Sequence, residues 1–229
     1  MVTSALDGPE PQDAQDLVVK ALEEEIIFGR LQPGTRLIED ALMDRFGATR
    51  HVVRSALFTL ERTGIVVRER NRGAMVRSLT PMQVRKIYDV REMLQRQAAL
   101  LIALPAPLDF VRGLEDIHER YVRAVRDSRH RDVHELNDAF HVALFSGCDN
   151  PYLVDSIKTY MFLSLPVRAK TMTNPELLQV SVNHHAAMIR LLEGSDNWSL
   201  AQLCVDHIQP AKGAYLAVTI PEPPGARAP

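Results

Sequence analysis

With 229 residues, 46% of them apolar, and a formal net charge of −2, the chain has room for two modest domains with real cores. Its two cysteines, Cys148 and Cys204, lie far apart and form no CxxC pair, which excludes a disulfide framework or a thiolate zinc site and fits a reducing cytosol; both read as small core residues. The acidic start MVTSALDGPEPQD lacks the apolar region of a signal peptide, and Pro105 and Pro107 interrupt the best apolar run before the length of about 18 residues a membrane span needs, so the expectation is a cytoplasmic protein with no membrane partner.

Residues 1–13 read as a disordered polar tail. A first helix is predicted over Ala14–Phe28, carrying Leu17, Val18, Ala21, Leu22 and Ile26 and stopped by Gly29. The stretch Pro33 to Val76 organises the chain. Leu37, Ala41, Leu42 and Phe46 fall at helical spacing, with Glu39, Asp40, Asp44 and Arg45 opposite. Gly47 suits a sharp corner, because it has no Cβ to oppose positive φ. Thr49 caps a second helix that buries Val52, Val53, Ala56, Leu57 and Leu60. Two short β-like runs, Val66–Arg70 and Ala74–Ser78, flank a turn at Asn71-Arg72-Gly73. This is the pattern of a winged helix-turn-helix, placed at residues 14–78.

In that geometry the second helix enters the DNA major groove by its first turns. Arg50, His51, Arg54 and Ser55 are left on its outward side, and arginine is the side chain best matched to guanine O6 and N7. Thr49 and the helix N-terminus suit a backbone phosphate. Arg72, at the hairpin tip, is placed to read the minor groove. From Arg30 to Arg77 there are ten Arg, no Lys and five Asp or Glu, so this module is +5 and the remainder of the chain −7. A basic module on an acidic body is what electrostatic attachment to DNA requires.

Three blocks then carry a resemblance. One holds Ile26, Gly29, Pro33, Gly34 and Leu37. The next holds Arg45-Phe46-Gly47, Thr49-Arg50, Val53-Arg54, Ala56-Leu57, Leu60-Glu61 and Gly64-Ile65-Val66. The last is Asn71-Arg72-Gly73 with Val76. In order and spacing they resemble the N-terminal domain of GntR-family transcription regulators, which usually carry Ser, Pro and Glu where Thr49, Val52 and Ser55 stand here. The resemblance implies DNA contacts at Thr49, Arg50, His51, Arg54, Arg72 and Gly73.

Thr80-Pro81 is a helix start, a hydroxyl cap followed by proline at the first position. No strand is predicted beyond it. Helical segments over 81–104, 107–127, 131–147, 151–170, 175–194 and 196–218, punctuated by proline and glycine, predict an antiparallel bundle of about six helices. The overall class is mainly α, with the bundle at 79–218 and a second disordered tail at 219–229.

Asn137 and His141, at i and i+4, share a helix face. His185 and His207 lie on the last two helices, on either side of the turn at Gly194, at similar distances from it. Three imidazoles and an oxygen ligand on facing helices suit a divalent transition metal. His184 rivals His185, turned about 100° away around the helix. His118, His130 and His134 read as solvent-facing. The segments from Leu136 to Leu144 with Asn150-Pro151, and from Asn183 to Gly194 with Asp196 and His207, resemble the FCD ligand-binding domain found behind GntR headpieces of the FadR-like subgroup. That resemblance implies Asn137, His141, His185 and His207 as metal ligands; imidazole favours zinc, nickel, copper or iron over magnesium, and zinc or nickel is the expected metal. It also turns Arg91, otherwise a surface ion-pair residue, into a pocket residue suited to a small carboxylate, which arginine grips with a planar fork. Tyr88 and Gln95, on the same face, would line the cavity. The expected function is a homodimeric repressor, not an enzyme, that binds a palindromic operator and answers to a small organic acid bound beside the metal. A metal-dependent hydrolase and an effector-independent DNA-binding adaptor are the alternatives.

Overall fold

A computed structural model describes residues 11–69, 73–172 and 174–219. Of the two expected tails, residues 1–10 and 220–229 lie outside these, as does Arg72. The chain divides into two compact units, residues 1–78 and 79–229.

The first unit opens with α1, Pro11–Ile27, which starts three residues earlier than the sequence suggests. Val18, Leu22, Ile26 and Ile27 are buried along it, while Leu17 faces solvent. Helix α2 spans Glu39–Phe46 and α3 spans Arg50–Arg62. Between them Gly47 adopts φ +57°, and its N–H donates to the Met43 carbonyl. This left-handed residue ends α2 at a position where a side chain would be strained. The Thr49 hydroxyl accepts from the Val52 N–H at 3.4 Å. Val52, Val53, Ala56, Leu57 and Leu60 are buried. Only Leu42 is fully buried on α2. Ala41 is exposed and Phe46 half-buried, because α2 has barely two turns and presents a narrow stripe. Leu37 belongs instead to a two-residue strand β1, Arg36–Leu37, which pattern reading cannot see at that length. Strands β2, Val66–Glu69, and β3, Gly73–Val76, form the wing. The sheet is antiparallel in the order β1-β3-β2, with Glu69 opposite Gly73 next to the tip.

The second unit is helical throughout its described residues. Helix α4, Pro81–Leu101, begins with a reciprocal capping box between Thr80 and Gln83. It is followed by α5 (Leu108–Arg126), α6 (His130–Ser146), α7 (Pro151–Leu163), α8 (Leu165–Met172), α9 (Pro175–Leu192) and α10 (Asn197–Thr219). One expected helix, 151–170, is therefore two. Pro166 lacks an N–H and disfavours helical geometry in the residue before it. Ser164 takes the break, with its hydroxyl bonded back to the carbonyls of Tyr160 and Met161.

The main core joins Ala98, Ala99, Leu114, Phe140, Leu144, Phe145, Ile157, Met188, Leu192 and Leu200, with both cysteines among the buried residues. A second cluster gathers Leu79, Val84, Tyr88, Val167, Ile208 and Tyr215. Among the described residues no helix is long and apolar enough to cross a membrane.

Leu57 on α3 is fully buried. Leu57→Ala should destabilise the first unit by about 2–5 kcal/mol, the usual cost of a cavity at such a site; urea unfolding of the variant against wild type measures it.

Candidate metal centre and DNA-binding face

Three helices bring three histidines together. His141 (α6) and His185 (α9) are buried and His207 (α10) is half-buried. Their ligating atoms all lie within 4.8 Å of one another, and the Nε2 atoms of His141 and His207 are 3.0 Å apart. Ligands of a tetrahedral zinc with bonds of about 2.0–2.1 Å sit roughly 3.3 Å apart, so little movement would seat an ion. Phe140 stacks on His185 with ring centroids 4.0 Å apart and fixes its plane. Both ring nitrogens of His185 and the Nδ1 atoms of His141 and His207 are buried without a hydrogen-bond partner. Buried polar atoms are ordinarily satisfied, and each neutral imidazole has one ring nitrogen with a lone pair, so the unpartnered nitrogens fit the binding of a cation.

Burial is the main reason that all three imidazoles fall below the ordinary histidine value, His207 to about 3, with neighbouring positive groups adding to it. They are therefore neutral, the form that ligates metal. The selection of His185 over His184 agrees with burial, since His184 is half-buried and faces His207 from 5.7 Å.

A cavity of about 60 Å³ lies against this cluster, lined among others by Arg91, Asn137, His141, Arg168, Ser181 and His207. Asn137 is half-buried, and its amide donates to Asp138 at 3.3 Å. Arg91 is only 5% exposed. It donates to the Ser164 hydroxyl at 3.1 Å and lies over the Tyr88 ring, 5.0 Å from its centroid. Its Nε has no partner, and among the described residues no carboxylate pairs with it. Tyr88 and Gln95 are buried on the same helix, but the cavity wall includes Arg91 and neither of them. Tyr88 packs into the second core cluster instead.

Sequence reasoning missed Arg168. It is buried, paired with Asp138, and part of the cavity wall. Burial opposes the charge of Asp138, but Arg168 and His134 outweigh it and hold this carboxyl below its usual range. Nothing in the run Pro166-Val167-Arg168 marks one arginine as internal; only the fold does. His118 and His134, expected on the surface, are partly buried. His118 sits 6.0 Å from His185 on the far side of the cluster, where α5 packs. His130 is exposed.

In the first unit Arg50, His51 and Arg54 project into solvent from the first turns of α3, beside exposed Thr49. Arg50 pairs with Asp40 at 2.7 Å, and Arg54 with Glu39 at 2.8 Å. Such exposed pairs contribute about 0–1 kcal/mol each, so both guanidinium groups can change partners at little cost. Gly73 is exposed at φ +75°, with nothing near the place a Cβ would take.

Residues 14–76 match the gntR family of bacterial regulatory proteins, and residues 86–210 match the FCD domain. The chain belongs to the GntR family. This GntR regulator is 30% identical over 149 residues to the uncharacterized HTH-type transcriptional regulator YdhC of Bacillus subtilis, across 65% of the chain and 66% of that relative. It is 24% identical over 212 residues to the HTH-type transcriptional repressor RspR of Escherichia coli, across 91% and 90%. The Escherichia coli McbR/YncC structure shares its fold with a TM-score of 0.68 at 18% identity, over 96% of this chain and 98% of that one. GntR regulators bind DNA and usually act as dimers, and the family is one of transcription regulators rather than enzymes.

The buried histidines generate a pH prediction. Their folded values lie below the unfolded value of about 6.5, so below that pH the unfolded chain takes up protons the folded chain refuses. Stability then falls as pH drops, by up to about 1.4 kcal/mol per pH unit for each histidine. Urea unfolding of the metal-free protein between about pH 7 and 5 should show this loss, with a shallower slope in His185→Leu. A flat wild-type profile would mean that the imidazoles are solvated.

Proposed function

We propose that this GntR regulator is a homodimeric repressor whose hold on a palindromic operator is set by a small organic acid bound beside a zinc or nickel ion. The observation that carries the reading is Arg91, a buried guanidinium without a carboxylate, sharing one cavity with two of three converging neutral histidines. An uncompensated buried charge is costly, and an anion gripped by the guanidinium fork offsets it. His141, His185 and His207 would hold the metal, with Asn137 as the oxygen ligand; imidazole favours zinc or nickel over magnesium. The bound ion supplies a positive centre for the acid group. Tyr88 supports the Arg91 guanidinium from one ring face, and Gln95 sits one turn further along α4.

Thr49, Arg50, His51 and Arg54 meet the operator, with Arg72 and Gly73 at the wing. A palindrome follows from two headpieces on a two-fold axis. Repression is the role the name of RspR gives that relative. The acid shifts DNA affinity by the difference in its own affinity for the two states of the regulator.

Operator DNA recovered by selection from a random library tests the DNA face. Arg50→Ala and Arg54→Ala should each weaken binding by about 1–3 kcal/mol, and wild-type affinity should fall steeply with salt. A flat salt response or unchanged variants would remove these residues from the interface. For the acid, a thermal-shift screen of small carboxylates with zinc or nickel should yield a stabilising ligand, because what binds only the folded state raises its stability. Arg91→Ala should abolish that shift, and an undiminished shift would contradict the role of Arg91.

A further inference from the structure

The charges around the cavity lead one step beyond this reading of a metal-held acid, and rest on it. The donors are three neutral imidazoles and, at position 137, a neutral amide. Of the charged side chains on the cavity wall, Arg168 is paired with Asp138, and Arg91 has no carboxylate partner of its own among the described residues. The nearby Glu92 is taken by Lys212 at 3.0 Å. The protein alone thus presents an excess of one positive charge. A divalent ion raises that excess to three in a site largely removed from water, where unpaired charge costs several kcal/mol. Among the described residues, no carboxylate on the cavity wall is free to offset it.

We infer that the metal and a small anion of at least two negative charges bind this site as a coupled pair, each tightening the other, and that the neutral Asn137 creates the dependence. The anion supplies the charge that an aspartate at 137 would otherwise bring. The effect is reciprocal, since a ligand that raises metal affinity is itself held more tightly by the metal-loaded chain. The cavity of about 60 Å³ suits a small anion such as a short dicarboxylate.

The test is Ni²⁺ affinity, measured by competition with a chromophoric chelator on the full chain, with folding of each variant checked by urea unfolding. With metal alone, Asn137→Asp should bind about tenfold or more tightly than wild type. Arg91→Gln, on a different helix, should also bind more tightly, because it removes the opposing charge. Millimolar malonate or sulfate, corrected for complexation in solution, should tighten Ni²⁺ binding to wild type and do so less in Asn137→Asp. Affinities of both variants equal to or below wild type, or no gain from either anion, would overturn the coupling while leaving the metal site in place. Absence of Ni²⁺ binding by all three proteins would sink the metal reading itself, and the coupling with it.

Discussion

The helical unit is arranged around a single electrostatic problem: a guanidinium and three imidazoles held largely buried with too few partners. Phe140, Phe145 and Tyr121 pack against the histidine rings, and the aliphatic core lies behind them. Burial keeps the imidazoles neutral and leaves their lone pairs free. The same burial makes the Arg91 charge expensive. A protein selected for stability alone would fill this space with apolar side chains, since buried charge is a poor source of stability. Its presence is better explained by a ligand that completes it.

That constraint connects to the break between α7 and α8. Ser164 terminates α7 with its own hydroxyl and also receives the hydrogen bond from Arg91. Arg168, one turn further on, pairs across to α6 through Asp138. In the proposed reading, an anion that drew the Arg91 guanidinium toward itself would compete for the Ser164 contact. The joint between two helices is thus connected to the cavity wall by Arg91 and Arg168. In the first unit the carboxylates of α2 play a comparable part, holding Arg50 and Arg54 in weak, exposed pairs.

Much of this was legible in the sequence because the signals are local. Gly47, the Thr49 cap and the spacing from Val52 to Leu60 set the helix-turn-helix. Thr80, Pro81 and Gln83 mark the start of α4. Asn137 and His141 are linked by helical spacing alone, and the symmetric placement of His185 and His207 about the Gly194 turn brings their helices level. Non-local features were not legible. Strand β1 is two residues long and exists only because β3 offers it an edge. Arg168 is internal only because α8 turns away from α7. The exclusion of Tyr88 from the cavity wall reflects its place in a cluster with Val167 and Ile208, partners distant in sequence. The role of Pro166 as a helix breaker was local and readable, but masked by the apolar run around it.

The central claim is that His141, His185 and His207 together hold a metal ion. Metal content by elemental mass spectrometry on the purified protein, after exposure to zinc or nickel and removal of excess, tests it most directly. The account predicts about one ion per chain, lost when His185 is replaced by Leu in a variant that still folds. A metal-free wild type, or full retention by His185→Leu, would contradict it.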